Sequence, residues 1–302
     1  MSLFTKAIVA TLPLVPRPLV RRFAGRYIAG DKLEDAVHIV KALNNRGICA
    51  TIDILGEEID EREEALAAVE AYKKVLAAID AEKLDSNISL KPTMLGLKID
   101  KAFCQENVAA ICDEVKRYGN FIRIDMEDSS CTQDTLDVYY ALRERYDNVG
   151  TVIQSYLRRS LADCAGLAAA QANLRLCKGI YNEPRELAYK DKAVVNANFS
   201  LLLDVLLDGG CYVGIATHDE KMVWEGLRAV YEYGLERDQY EFQMLLGVDA
   251  KLRDIIVAAG HKLRVYVPFG TAWHAYSTRR LKENPHLAGQ IFRNIFVKYE
   301  LK

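Results

Sequence analysis

The stretch ICATIDIL, residues 48–55, is the first of a series of short apolar runs along the chain. Its residues are mostly β-branched or otherwise apolar, which is typical of a strand buried in a parallel sheet. Similar runs follow: NISLKPT (87–93), FIRIDME (121–127), VGTVIQSYL (149–157), LRLCKGIY (174–181), CYVGIATH (211–218), YEFQML (240–245) and KLRVYVP (262–268). The series predicts eight buried strands.

The segments between these runs have the periodicity of amphipathic helices. Three clear examples are residues 63–83, 107–119 and 134–146. Glycines stand where a helix should end and the next strand begin, at Gly47, Gly119 and Gly260. A C-terminal helix cap belongs at such positions, so the pattern predicts strands that alternate with helices.

Eight strands, each followed by a helix, over about 250 residues predict a (β/α)8 TIM-type barrel. An open doubly wound sheet is the alternative, but no G-x-G-x-x-G motif follows the first strand. No linker rich in Pro, Gly or Ser divides the chain. We therefore expect a single domain, with extra helices over residues 1–45 and the barrel over residues 46–302.

Composition narrows the class of protein. The chain has 302 residues, of which 50% are hydrophobic and 27% charged, and its net charge of -2 gives no reason to expect nucleic acid as a partner. The seven cysteines are scattered, without a C-x-x-C pair or metal-ligand spacing, and no signal peptide is recognisable. These features predict reduced thiols in the cytoplasm and no metal site.

The N-terminal segment has two interpretations. AIVATLPLVP, residues 7–16, is apolar but too short to span a bilayer, and the basic and apolar RPLVRRFAGR follows it. The simpler interpretation is a helix that packs on the body of the protein. The alternative is a surface that contacts a membrane peripherally.

Polar residues crowd the ends of the predicted strands, where the function of a barrel gathers. They are Asp53, Glu57, Lys91, Asp125, Glu127, Asp128, Gln154, Tyr156, Arg158, Arg175, Lys178, Tyr181, Thr217, His218, Asp219, Gln243 and Tyr266. Burying a charge costs several kcal/mol unless it is paired. So many polar residues at one end of a barrel therefore indicate a polar or charged ligand.

A further basic cluster lies in YSTRRLKENP, residues 276–285. On a helix, Tyr276, Arg279, Arg280 and Glu283 share a face, and the carboxylate can hold both guanidinium groups. Two such groups form a good receptor for one carboxylate or phosphate, although a solvated face with ordinary ion pairs is the alternative. Together with the lysines and arginines of the strand ends, they predict two anionic groups, one of them phosphate-bearing.

Nine motifs in order resemble the proline dehydrogenase family. Between residues 51 and 284 they are TIDILGE, SLKPTMLGL, IRIDMEDS, VIQSYLRRS, RLCKGIYNEP, GIATHDE, EFQMLLG, RVYVPFG and YSTRRLKEN. The resemblance implies FAD on a distorted (β/α)8 barrel with a C-terminal helix over its mouth. It also implies oxidation of L-proline to Δ1-pyrroline-5-carboxylate and transfer of electrons to a membrane quinone, which favours peripheral membrane contact by the N-terminal segment.

The resemblance assigns the substrate site as follows. Arg279 and Arg280, with Lys91 nearby, bind the substrate carboxylate, and Glu283 orients the arginines within the cluster that includes Tyr276. Asp125 holds the Lys91 cation in place. The proline ring is walled by Tyr181, Leu245 and Tyr266. The family associates the last tyrosine with a preference for proline over 4-hydroxyproline.

The resemblance likewise assigns the flavin site to residues of the middle strands. These residues are Gln154, Arg158 or Arg159, Arg175, Lys178, Gly179, Thr217 and His218. Arg175 is expected near the flavin N5 side. Lys178, Thr217 and His218 are expected at the pyrophosphate or adenosine half.

The residues at the strand ends leave two alternative functions open. A Schiff-base aldolase would use Lys91 or Lys178 at a strand end to attack a carbonyl. A non-catalytic barrel would bind carboxylates without redox chemistry. Some relatives carry an aldehyde dehydrogenase domain after the barrel, and because this chain stops at Lys302, we expect the next step of proline breakdown on another polypeptide.

Overall fold

The computed structural model describes residue 21, residues 25–56 and residues 58–274. Within these residues, eight parallel strands close into a barrel in the order of the chain, and each pairs with its neighbours in sequence. β8 closes the ring by pairing with β1, for example Thr51 with Tyr266. The predicted (β/α)8 barrel is confirmed and the open sheet is excluded.

Most element bounds agree with the predicted pattern to within a few residues, although the helix predicted from residue 107 begins six residues earlier, at Lys101. The strands are β1 Cys49–Ile54, β2 Ser86–Leu90, β3 Ile122–Ile124, β4 Val149–Gln154, β5 Asn173–Cys177, β6 Tyr212–Ala216, β7 Tyr240–Leu245 and β8 Leu263–Phe269. The helices are α1 Leu33–Asn44, α2 Arg62–Ala81, α3 Lys101–Arg117, α4 Thr132–Arg143, α5 Ser160–Ala169, α6 Lys192–Asp208, α7 Glu220–Glu232 and α8 Ala250–Ala258.

Local chemistry explains several of these bounds. β2 ends before the predicted residue 93 because Pro92 has no N–H for the sheet and instead begins a short 3-10 turn, Pro92–Leu95. The predicted caps Gly47 and Gly119 have φ values of +70° and +62°, a region that glycine enters without steric cost.

α1 belongs to the packed body of the protein. It contacts β1 and β8, and Ala36, Val40 and Leu43 are buried in the same core as the strands. It thus covers the seam where the barrel closes. The boundary at residues 45 and 46 stays a prediction, and the C-terminal helix expected over the barrel mouth lies outside the described residues.

The inside of the barrel is unusually polar. Side chains alternate between the two faces of a strand, so residues two apart on β1, Thr51 and Asp53, share the inner face. Thr51 donates to Asn87 on β2 at 2.5 Å, and Arg264 on β8 donates to Glu241 on β7 at 2.8 Å. Barrel interiors are usually filled by Val, Ile and Leu. Here hydrogen-bonded polar pairs replace part of that filling.

Candidate active site

A cavity of about 450 Å³ lies at the carboxyl ends of the strands. Its lining comes from β4–β8 and from the segments that follow β2, β3, β5 and β6: Lys91, Asp125, Met126, Glu127, Val152, Gln154, Arg175, Cys177, Lys178, Gly179, Ile180, Tyr181, Ala216, Thr217, His218, Asp219, Gln243, Met244, Leu245 and Tyr266. This is the end of a barrel where active sites form, because loops from many strands converge there.

Lys91 lines the cavity and is held from behind by Asp53. Its Nζ lies 2.6 Å from one carboxylate oxygen of Asp53 and 2.8 Å from the other. Asp53 is fully buried and Lys91 nearly so. Burial by itself lowers the pKa of Lys91, but the charges of Asp53 and Asp125 outweigh that effect and raise it above its ordinary value. Lys91 is therefore a cation at neutral pH.

Asp125 is the centre of a second cluster. One of its oxygens accepts hydrogen bonds from Ser89 Oγ and Arg175 Nη1, each at 2.6 Å. The other accepts from the Tyr266 hydroxyl at 2.9 Å. The sequence predicted that Asp125 holds Lys91, but the hydrogen-bonded partner of Lys91 is Asp53, and Asp125 acts on Lys91 through its charge.

Arg175 extends this cluster across the barrel to β7. Its Nε donates to Gln243 Oε1 at 2.5 Å, and Gln243 Nε2 donates in turn to Glu241 at 2.6 Å. Gln243 needs a glycine beside it on β6, because a Cβ on Gly214 would lie 2.3 Å from its side-chain nitrogen. A buried chain of polar contacts thus runs from Asp125 to Glu241.

Glu127 fixes the turn that carries Lys91 into the cavity wall. Its two carboxylate oxygens accept from the backbone N–H of Thr93 at 2.9 Å and from the Thr93 hydroxyl at 2.6 Å. Because Thr93 is two residues beyond Lys91, these bonds hold the end of β2 against the end of β3. The position of the Lys91 ammonium is therefore set both by its ion pair with Asp53 and by the turn at Thr93 that Glu127 holds.

Gln154 presents a buried acceptor to the cavity. Its Nε2 donates to the carbonyls of Met126 and Glu127 at 3.1 and 3.3 Å. Its Oε1 is buried and has no hydrogen-bond partner within the described part of the chain. An unsatisfied buried acceptor costs on the order of 1–3 kcal/mol. A ligand that brings an N–H donor to this wall would remove that cost.

A second cation lies on the opposite side of the cavity. Lys178 Nζ is 2.6 Å from Asp219 Oδ2, and the same carboxylate caps α7 by accepting from the Lys221 N–H. His218 Nε2 accepts from the backbone N–H of Leu245 at 2.7 Å. This bond fixes the imidazole and leaves Nε2 without a proton.

Most of the predicted site residues meet at this cavity. Its lining includes Lys91, Asp125, Gln154, Arg175, Lys178, Gly179, Tyr181, Thr217, His218, Leu245 and Tyr266. Arg158 is not among the lining residues: it donates to the Arg185 carbonyl and stacks over the Tyr189 ring, with 4.5 Å from Cζ to the ring centroid. The predicted residues Tyr276, Arg279, Arg280 and Glu283 lie outside the described residues.

Asp53 and Gln243 are among the residues of the site that have no predicted role. The sequence predicts them only as polar residues at strand ends, although each is the direct partner of a site cation, as Asp219 is of Lys178. The alternation of side chains along a strand is the signal that could have identified them. Asp53 shares the inner face of the barrel with Thr51, and Gln243 shares it with Glu241 and Leu245. Their partners lie 38 and 68 residues away in sequence.

Known proteins resemble this chain over most of its length. The family model described as proline dehydrogenase matches residues 36–293. Proline dehydrogenase 1 of Bacillus subtilis subsp. natto is 38% identical over 91% of this chain and 91% of its own length. Proline dehydrogenase of Deinococcus radiodurans is 36% identical over 97% of this chain and 98% of its own length.

A solved structure shares the fold. The crystal structure of proline utilization A (PutA) from Bdellovibrio bacteriovorus, inactivated by N-propargylglycine, superposes with a TM-score of 0.82 at 26% identity. The match covers 90% of this chain and 34% of that one, so this chain corresponds to about a third of the larger protein. A family model that spans most of the chain, full-length relatives and a shared barrel lead to one conclusion: this chain belongs to the proline dehydrogenase family.

Proposed function

We propose that this protein is an FAD-dependent enzyme that oxidises L-proline to Δ1-pyrroline-5-carboxylate and passes the electrons to a quinone. The observation that carries the cofactor assignment is Gln154, whose buried Oε1 lacks a donor on the cavity wall. The flavin ring system carries an N–H donor, which Gln154 can satisfy. The nearby cations Arg175 and Lys178 suit the electron-rich ring and the pyrophosphate.

The residues present fit FAD in two further respects. Thr217 and His218 lie at the end of β6, on the same side of the cavity as Lys178. Gly179 has a φ of +96°, and a Cβ there would lie 2.2 Å from the Tyr156 ring. The chain can therefore pass close to this wall only with glycine. Arg158, outside the lining, is the weakest member of the predicted flavin set.

When bound, FAD supplies the acceptor for a hydride from the proline ring. The chain positions the substrate: Lys91, held as a cation, supplies one charge for its carboxylate, and Arg279 and Arg280 are proposed to supply two more. Tyr181, Leu245 and Tyr266 offer an apolar wall for the ring. Such orientation is a large part of what an enzyme contributes to rate.

The geometry does not favour the aldolase alternative at Lys91. A lysine nucleophile must lose its proton, whereas the two nearby carboxylates raise the pKa of Lys91. Membership of the proline dehydrogenase family also disfavours a barrel that only binds carboxylates.

Contact of the N-terminal segment with a membrane is a further part of the proposal. Among the described residues, no helix is both long and apolar enough to span a bilayer. Residues 7–16 lie outside the described residues. If the segment docks on a membrane, deletion of residues 1–25 lowers quinone reduction by membranes while reduction of a soluble dye persists. Unchanged membrane activity would count against the contact.

The central test is the visible spectrum of the purified protein. We expect a yellow protein with about one FAD per chain, bleached by L-proline under anaerobic conditions with formation of Δ1-pyrroline-5-carboxylate. Gln154→Leu should retain less FAD than Gln154→Glu, whose carboxylate still offers an acceptor. A colourless protein, or a yellow one that L-proline does not bleach, would refute the proposal.

A further inference from the structure

The Asp53 carboxylate lies behind Lys91, away from the cavity. Lys91 is part of the lining and Asp53 is not, yet the two are in direct contact through both carboxylate oxygens. A carboxylate with no exposed surface is costly unless it is paired, and the cation that pairs with Asp53 reaches the cavity. Lys91 and Asp53 thus form a path of two side chains along which a proton can pass from the cavity into the barrel.

Oxidation of a secondary amine needs such a path. The amine of an amino acid arrives as an ammonium, which has no lone pair to stabilise the electron-poor carbon formed as hydride leaves. One proton must therefore leave nitrogen before the hydride leaves carbon. Lys91 cannot be the final acceptor, because the surrounding carboxylates keep it protonated.

We propose that Asp53 is the proton acceptor for the substrate amine and that Lys91 relays the proton to it. This inference rests on the proposed function. Nζ of Lys91 releases one of its own protons to Asp53, and the lone pair that this frees takes the proton of the substrate N–H as that bond breaks. The substrate becomes a neutral amine, Lys91 remains an ammonium and Asp53 becomes a carboxylic acid. The proton returns to solvent after the product leaves, and the relay itself oxidises nothing.

The charges around Asp53 suit an acceptor. Burial raises the pKa of its carboxyl above the usual range, and the Asp125 charge adds to the rise. Lys91 opposes both effects most strongly, and the Tyr266 hydroxyl opposes them to a smaller degree. Glu127 faces the same lysine from the end of β3. On the helix side the neighbour is Tyr72 of α2, whose own pKa is raised well above its ordinary value, so it stays neutral.

The other carboxylates nearby are bound to other donors. Asp125 accepts hydrogen bonds from Ser89, Arg175 and Tyr266, and none of these donors is the Lys91 ammonium. Glu127 is committed to the Thr93 turn through both oxygens. Asp53 has the cavity-lining ammonium as the hydrogen-bonded partner of both its oxygens.

The test uses Asp53→Asn in the flavin-loaded enzyme, with anaerobic flavin reduction by L-proline measured as a function of pH. We expect the rate constant at neutral pH to fall by roughly 10²-fold or more, the usual contribution of a general base. The fall in rate on the acid side, where wild-type Asp53 becomes protonated, should disappear. The deficit should shrink as pH rises, because the substrate then arrives already neutral.

A second readout does not depend on turnover. Tetrahydrofuran-2-carboxylate has the same ring and acid group but no amine proton, and its Kd should change by no more than about threefold in Asp53→Asn. A loss of affinity as large as the loss of rate would mean that Asp53 only positions Lys91, and would overturn the proposal. Asp53→Glu keeps a carboxylate, so it should be faster than Asp53→Asn, and its rate should again fall on the acid side.

Matched controls separate the possible failures. Glu241→Gln removes another buried carboxylate of the barrel. In this variant the rate constant of flavin reduction should still fall on the acid side, as in the wild type. If L-proline bleaches the wild type but the Asp53→Asn profile runs parallel to it at every pH, the relay is wrong and the proposed function stands. If L-proline does not bleach the wild type, both fall.

Discussion

Arg175 and Asp125 form a buried ion pair across the interior of the barrel, with Nη1 2.6 Å from Oδ1. The same guanidinium uses Nε to bind Gln243 on β7, so one side chain from β5 links β3 to β7. A planar fork with several donors is required for this, and a lysine offers only a single point charge.

Arg175→Lys should therefore be both less stable and slower. One of the two partners loses its donor inside the barrel, and breaking a buried pair costs up to about 3–5 kcal/mol. We expect a lower midpoint of thermal unfolding and at least a tenfold slower flavin reduction by L-proline, measured by anaerobic stopped flow. The control is Arg228→Lys on α7, where an arginine pairs with Asp204 and Glu225 nearer the surface. A change there of more than about 1 kcal/mol, or none at Arg175, would contradict the argument.

The lowered pKa of Glu241 predicts how the free energy of unfolding depends on pH. Burial by itself raises the pKa of its carboxyl, but the charges and hydrogen bonds of Arg264, Lys262 and Gln243 outweigh burial and lower it to about 2, from 4.5. A depressed pKa stabilises the fold above the unfolded value, and this contribution is lost as pH falls from about 5 to about 2. The amount is at most about 3 kcal/mol.

Glu241→Gln should be less stable than wild type at pH 7, because Arg264 loses its buried counter-ion. The difference in free energy of unfolding should narrow as pH falls through this window, since the wild type loses its advantage there. Urea unfolding at several pH values measures both curves. A gap that stays constant from pH 7 to pH 3 would show that the pair is not responsible.

Gly179 should tolerate no side chain. Its φ is +96°, and a Cβ would lie 2.2 Å from ring carbons of the buried Tyr156. Gly179→Ala should lower the thermal midpoint by at least about 5 °C and reduce bound flavin, because the displaced segment lines the cavity. Gly47 is the matched control: its φ is +70°, but nothing lies within 4 Å of an added Cβ. Gly47→Ala should lower the stability by only about 1 kcal/mol, through backbone strain. The amount of bound flavin should stay the same.

Tyr266 is predicted to set the preference between ring substrates. We expect wild type to use L-proline with at least tenfold higher kcat/KM than 4-hydroxyproline if, as proposed, the ring of Tyr266 walls the bound proline ring and leaves no space for an added hydroxyl. Tyr266→Ser should narrow that ratio by making room. Steady-state assays with both substrates test this, and equal kcat/KM values on the wild type would refute it.

The variant Tyr266→Phe separates the contribution of the ring from that of the hydroxyl. It removes the donor to Asp125 at 2.9 Å, a hydrogen bond to a charged group worth about 1.5–3 kcal/mol. The phenyl ring remains, so the preference for proline should persist while the stability falls. A lost preference in Tyr266→Phe would assign the discrimination to the hydroxyl instead.

The sequence predicted the barrel because its signals are local. Eight apolar runs separated by helical segments have one common solution, and glycines such as Gly47 and Gly119 mark where helices turn into strands. The same reasoning located most of the cavity. In a parallel barrel all strand ends point one way, so polar residues there must converge whatever their separation in sequence.

The pairing of those residues was decided by tertiary structure. Lys91 meets Asp53, not Asp125, because the register of β1 with β2 sets Asp53 beside Ser89, two residues before the lysine. Arg158 leaves the cavity because the chain after β4 bonds to the segment around Leu187. Type and spacing of residues determine which groups reach the end of a barrel. Only closure and strand register, which depend on contacts between residues far apart in the chain, determine which charge neutralises which.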